Sequence, residues 1–185
     1  MNTPNPQYPV SSETWYVNIA GPLPRSPGGE YFYLMLAMVK GSGVLRAEYV
    51  TGPDQLACFL DRAARHHQRT PARLCCDYDF LRYLAHWHEQ GDCEIHVYDP
   101  HVLQGPRAIT ERHLLVLLRA AERARLASRE SRTSLESYNE ALASVLNVDY
   151  DQYFAALTAP TSPHPGGVLI PQAGVSTPDP AGGPS

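Results

Sequence analysis

The chain has 185 residues and a mass of 20.5 kDa, which is room for one domain with a sizeable core. Its formal net charge of −4 excludes a protein that binds polyanions through its overall charge, although a local basic face stays open. The longest apolar run, at 31–39, is too short to cross a membrane, and the first residues lack the features of a signal peptide. We therefore expect an intracellular location, with the nucleus as one alternative, and no membrane partner.

Three strands are predicted first. Residues 14–20 are rich in β-branched and aromatic side chains and precede Gly21-Pro22, which predicts a strand that ends at a turn. Two further apolar runs, at 31–39 and 44–50, are separated by a Gly-Ser-Gly turn. Short turns between three strands favour an antiparallel meander.

The hydrophobic spacing then indicates helices that alternate with short strands. The predicted strands are 72–76 and 93–97, and the predicted helices are 52–67, 80–87, 108–127, 133–146 and a short last one at 150–157. This order predicts the α/β class, with a mixed five-stranded sheet that carries helices on its faces.

The two ends differ in composition from the middle of the chain. Residues 159–185 contain seven Pro, five Gly, one charged residue and no aromatic residue. Such a segment cannot bury enough apolar surface to offset its chain entropy. We therefore predict a flexible arm at 1–11, a folded domain at 12–158 and a disordered tail at 159–185.

Three polar residues fall where a mixed sheet can bring metal ligands together. Asn18 lies in the first predicted strand, Asp77 ends the fourth, and Glu111 lies in the first turn of the long helix. Enzymes that cut or join phosphodiester bonds commonly hold two divalent ions with carboxylates. Simpler explanations stay open, because an acid at a strand end can bond its own backbone and an acid in a first helical turn complements the helix dipole.

Four segments together resemble the catalytic core of retroelement integrases and are most similar to the Copia type of retrotransposon. The segments are WYVNIAGPLP at 15–24, GEYFYLML at 29–36, LCCDYDF at 74–80 and QGPRAITER at 104–112. The resemblance spans residues 13–147, and the separation of Asp77 from Glu111 is close to that typical of the family. It implies an RNase H-like fold and, ancestrally, metal-dependent polynucleotidyl transfer in DNA integration, in which a DNA 3′-hydroxyl attacks a phosphodiester.

The resemblance assigns the catalytic positions to Asn18, Asp77 and Glu111, with the two acids as surviving ligands of Mg²⁺ or Mn²⁺. Asn18 stands where the family has its first acid, and an amide lacks the charge on which a shared metal ligand depends. We therefore predict weak or lost metal binding and impaired catalysis. The alternative is a non-catalytic scaffold that binds nucleic acid or another protein. An unrelated small regulatory protein is favoured if the three positions lie far apart.

A basic stripe on the long helix is a candidate surface for DNA or another nucleic acid. Arg112, Arg119 and Arg123 fall within about 40° of one another at 100° per residue. Such a stripe could follow a phosphate backbone, although a solvated helix face is the commoner explanation.

A His/Cys cluster and the oligomeric state stay open. The cluster has zinc-type ligands, but its spacing matches no common zinc finger; its members are His86, His88, Cys93 and His96. A homodimer is among the alternatives for the oligomeric state.

Overall fold

The structure is a computed structural model, and it describes residues 8–23, 31–40, 43–89, 93–99, 101–102, 105–127, 134–148, 150 and 154–155. The strands in these ranges are β1 Val10–Leu23, β2 Phe32–Val39, β3 Gly43–Val50, β4 Thr70–Cys76 and β5 Glu94–Val97. The α-helices are α1 Leu56–His67, α2 Ala85–Glu89, α3 Pro106–Ala127 and α4 Leu135–Asn147. The predicted tail at 159–185, most of the predicted arm and most of the predicted last helix lie outside the described residues. Within those ranges, no helix is long and apolar enough to span a membrane.

The five strands form one mixed sheet in the order β3-β2-β1-β4-β5. β1 pairs antiparallel with β2, and β2 pairs antiparallel with β3, which confirms the predicted meander. β4 lies on the other side of β1 and runs parallel to it, and β5 runs parallel to β4. Parallel neighbours need a crossover connection, and the segment that contains α2 supplies it between β4 and β5.

β1 is longer at both ends than the sequence predicted. It begins at Val10, inside the segment predicted as an arm, because its first residues pair with the start of β4. It continues through the predicted turn to Leu23, because its pairing with β2 resumes after a local irregularity. Gly21 permits this course, since it adopts a φ of +145° and an added Cβ would lie 2.6 Å from the Tyr33 ring.

The prediction of one helix across 80–87 is wrong. The segment forms a 3₁₀ stretch at Tyr78–Tyr83 and then the short α2, and Leu84 between them has a φ of −110° and a ψ of 7°. Leu84 and Trp87 are both buried, so the apolar spacing did identify core residues. Two short helical pieces place these side chains in the core as well as one helix would, and periodicity alone does not separate the two arrangements.

Each face of the sheet carries its own hydrophobic cluster. The α1 side includes Trp15 and Val17, whereas the side under α3 and α4 includes Leu34 and Leu36. Because side chains alternate along a strand, Asn18 points to the face opposite Val17. This alternation directs Asn18 toward α3.

Helix α4 covers the edge of the sheet at β3. The Asn139 side chain accepts a hydrogen bond from the Tyr49 N–H at 2.7 Å and donates one to the Tyr49 carbonyl at 3.0 Å. An edge strand otherwise presents unpaired backbone groups, and Tyr49 is only 1% exposed. The amide of Asn139 therefore replaces the missing neighbouring strand at this point.

Candidate functional site

Asn18 is a buried residue whose amide makes hydrogen bonds through both of its polar atoms. It is 4% exposed; its Nδ2 donates to Thr110 Oγ1 at 3.0 Å, and its Oδ1 accepts from the Ile19 N–H at 2.8 Å. The Thr110 hydroxyl in turn donates to the Arg107 carbonyl at 2.8 Å. The amide is therefore satisfied within the protein, as buried polar groups generally are.

Asp77 directly follows β4, and the parallel register places it level with Asn18 in the middle of β1. In the pairing of β1 with β4, Tyr16 lies opposite Cys75, and Asn18 and Asp77 each follow two residues later. Matching positions on neighbouring parallel strands lie side by side. The parallel register therefore brings the first two predicted positions together.

Arg107 connects Asp77 to Glu111. Its Nε lies 3.3 Å from Asp77 Oδ1 and donates a hydrogen bond to Glu111 Oε1 at 3.0 Å. The Asp77 side chain is 23% exposed and that of Glu111 is 51% exposed, so the acidic pair opens to solvent. All three predicted positions are thus joined at the first turns of α3, Asn18 through Thr110 and the two acids through Arg107.

The charge of Asp77 is disfavoured by its surroundings. Burial has the largest effect and raises the pKa of this carboxyl above its ordinary value. The guanidinium of Arg107 opposes that rise, and the negative charges of Glu111 and Asp79 add to it. Arg107 therefore limits the cost of keeping Asp77 ionised next to a second acid.

Three residues of this neighbourhood were missed by the sequence analysis, namely Arg107, Thr110 and Tyr98. The Tyr98 hydroxyl donates to the Val17 carbonyl at 3.0 Å, and its N–H donates to the Cys76 carbonyl at 2.9 Å, so it ties β1 to β4. The position of Arg107 four residues before an acid is a signal that the sequence does contain. The roles of Thr110 and Tyr98 depend on partners distant in the chain, which no local pattern indicates.

The residues present do not fit a site for two divalent ions. Such a site needs several carboxylate oxygens that converge on the ions. Asn18 brings no charge and uses both polar atoms within the fold, and Arg107 already contacts both acids. Among the residues that the structure describes, no three His, Cys, Asp or Glu side chains are grouped so that they could hold a metal ion.

The same finding covers the candidate zinc ligands. His86, His88 and His96 are exposed, whereas Cys93 is buried. Burial, with smaller contributions from Cys75 and Glu94, raises the pKa of the Cys93 thiol to about 11. Zinc is bound by the thiolate, so this cysteine is poorly suited to the role.

The three arginines predicted to line one face of the long helix do so on α3. Arg112, Arg119 and Arg123 are all exposed, and we call them the Arg stripe. None of them forms an ion pair with another residue in the described part of the chain. The neighbouring Arg125, by contrast, contacts Glu122 at 2.7 Å. Within the described residues, the stripe is therefore a row of exposed guanidinium groups that form no ion pair.

Comparison with solved structures places the fold. One similar structure, determined by cryo-electron microscopy, is the simian T-cell lymphotropic virus intasome in complex with PP2A regulatory subunit B56 gamma; the TM-score is 0.56 at 15% identity, over 96% of this chain and 66% of that chain. Another is the catalytic core domain of BIV integrase, with a TM-score of 0.45 at 14% identity, over 80% of this chain and 97% of that chain. No protein-family model and no curated protein matches the sequence.

These comparisons bear on the fold alone, because the identities are low. The intasome structure, with a TM-score above 0.5, agrees with the observed sheet of antiparallel and parallel strands flanked by helices. The predicted fold class, an RNase H-like α/β domain with a mixed five-stranded sheet, is therefore confirmed, and the chain has an integrase-like fold.

Proposed function

We propose that this chain is a retroelement-derived, integrase-core-like domain of the Copia type whose metal-dependent polynucleotidyl transfer is impaired. The observation that carries the proposal is the buried amide of Asn18, bonded on both of its polar atoms within the fold. The integrase-like fold supports the ancestry. The amide supports the impairment, because it leaves two carboxylates to neutralise two dications.

In this proposal Asp77 and Glu111 are the remaining ligands for Mg²⁺ or Mn²⁺, and Asn18 marks the lost one. The two acids stay close enough to contact one guanidinium. A metal ion that bound them would have to compete with this charge-assisted contact. The acids therefore support weak metal binding at most.

Asn18→Asp should tighten the binding of Mn²⁺ by about tenfold, because the change adds a negative charge beside Asp77 without adding bulk. Calorimetric titration of both proteins with Mn²⁺ measures the difference. Asp77→Asn in the Asn18→Asp background is the matched control and should return the affinity to that of the wild type. Equal affinity in all three proteins would mean that these residues do not share a site.

The impairment itself is tested by a strand-transfer assay with DNA 3′-hydroxyl ends in Mn²⁺. The wild-type protein should give no product above background, since the charge that holds the two ions is incomplete. We expect Asn18→Asp alone not to restore transfer, because Arg107 still contacts both acids. Robust transfer by the wild type would overturn the proposed function.

A non-catalytic scaffold that binds DNA or another nucleic acid is the second candidate function, and the Arg stripe favours it. Its three guanidinium groups lie along one exposed face of α3, and the exposed Leu115 lies between the first two. Arginines on such a face contact phosphates without reading the base sequence. A nuclear location would suit this role, and a homodimer would carry two such stripes.

Replacing Arg112 and Arg119 together with Ala should weaken DNA binding and lower its salt dependence by about two in the log–log slope, one for each lost phosphate contact. Fluorescence anisotropy at several salt concentrations measures both quantities. Arg65→Ala, at an exposed position on α1 across the sheet, is the control and should change neither. A wild-type protein that does not bind DNA even at low salt would remove this second candidate.

A further inference from the structure

We infer that Arg107 is the resident cation of Asp77 and Glu111, and that it holds the position between them for which a divalent ion would have to compete. The inference rests on the proposed function, because it concerns the same acids. It adds a cause of weak metal binding that is separate from the missing charge at Asn18.

The geometry shows how one nitrogen serves both acids. Nε of Arg107 lies 3.0 Å from Glu111 Oε1 and 3.3 Å from Asp77 Oδ1. Magnesium binds oxygen ligands at about 2.0 to 2.1 Å, so an ion shared by these two oxygens would take up the space at Nε. The guanidinium and the metal ion therefore exclude each other.

The backbone of Arg107 is held by the residue that replaces the first acid. Asn18 Nδ2 donates to the Thr110 hydroxyl, which donates to the Arg107 carbonyl. A carboxylate at position 18 has no N–H to donate to this hydroxyl. It could only accept a hydrogen bond from the hydroxyl, which would then no longer donate to the Arg107 carbonyl. The amide of Asn18 and the cation at Arg107 are thus parts of one hydrogen-bonded arrangement.

The local charge agrees with this assignment. Arg107 lowers the formal charge of the Asp77–Glu111 pair from −2 to −1, which weakens the attraction of the pair for a dication. The Arg107 side chain is 41% exposed, so it can swing into solvent without breaking the core. Arg107 is therefore a displaceable counter-ion that is built into the first turn of α3.

Calorimetric titration with Mn²⁺ of three variants tests this assignment. Arg107→Gln removes the cation and should bind Mn²⁺ about tenfold more tightly than the wild type. Arg107→Lys keeps a positive charge and should stay as weak as the wild type. Arg65→Gln makes the same charge change on α1, across the sheet, and should also leave the affinity unchanged. No gain in Arg107→Gln, or an equal gain in Arg65→Gln, would overturn the inference.

A second measurement uses the wild-type protein alone and does not depend on whether the Gln variant folds. Its melting temperature should stay constant in millimolar MnCl₂ relative to NaCl of equal ionic strength, because Arg107 already offsets one of the two acidic charges and occupies the position between them. A rise of several degrees would overturn the inference. Strand transfer by the wild type overturns the proposed function, whereas an unchanged Mn²⁺ affinity in Arg107→Gln overturns only the role of Arg107.

Discussion

Asn139→Leu should lower the free energy of unfolding by about 2 to 4 kcal/mol, because two buried backbone groups would lose their partner. Asn139 accepts from the Tyr49 N–H and donates to the Tyr49 carbonyl, and Tyr49 is almost completely buried at the edge of the sheet. A leucine fills similar space but satisfies neither group. Urea unfolding followed by circular dichroism measures the change.

Two controls separate the hydrogen bonds from other effects of the Asn139 substitution. Asn139→Asp keeps the acceptor for the Tyr49 N–H but turns a negative oxygen toward the Tyr49 carbonyl, so its cost should fall at low pH, where a protonated carboxyl can donate again. Glu140→Gln changes the exposed neighbour on α4 and should have little effect. If the free energy of unfolding of Asn139→Leu equals that of Glu140→Gln, the Asn139 amide does not stabilise the contact between α4 and the edge of β3.

Asn18→Asp should lower the free energy of unfolding by about 1 to 3 kcal/mol near pH 7 in the presence of a chelator. The site is 4% exposed, and the new carboxylate could not donate to Thr110 Oγ1 as the amide does. The deficit should shrink as the pH falls, since a protonated acid can again donate a hydrogen bond. Added Mn²⁺ should also recover part of the loss, because binding to the folded state stabilises it.

Thr110→Val is the matched control for this effect. It removes the hydroxyl that Asn18 contacts without placing a charge in the interior, so its cost should not depend on pH or on Mn²⁺. If Asn18→Asp is as stable as the wild type in chelator, the fold accommodates a carboxylate at this position. The hydrogen-bonded amide would then not be needed for stability.

Much of the fold could be predicted from the sequence because its signals are local. Alternating and continuous apolar runs located β2 and β3, and the spacing of leucines located α3. The length of β1 could not be predicted, because Gly21-Pro22 is typical of a turn. Only the pairing of Leu23 with β2 shows that the strand continues past it. The prediction of one helix across 80–87 was wrong although its core residues were correct, because the same apolar spacing fits more than one local structure.

The sequence predicted which residues belong to the candidate site, but it did not predict the contacts between them. The resemblance to integrases selected Asn18, Asp77 and Glu111, and the parallel register and the first turns of α3 do connect them. That Arg107 stands between the acids depends on how α3 crosses the sheet. The hydrogen bond between Asn18 and Thr110 depends on which face of β1 packs against that helix. Neither relation is written in a local pattern.

Anomalous diffraction from crystals of the wild-type protein grown with MnCl₂ shows whether an ion can replace Arg107 between the two acids, because it locates the ion itself. We expect no manganese peak between Asp77 and Glu111, with Nε of Arg107 still in contact with both acids and the Asn18 amide still bonded to Thr110. A peak bound to oxygens of both acids at about 2.0 to 2.2 Å, with Arg107 turned away, would contradict this expectation.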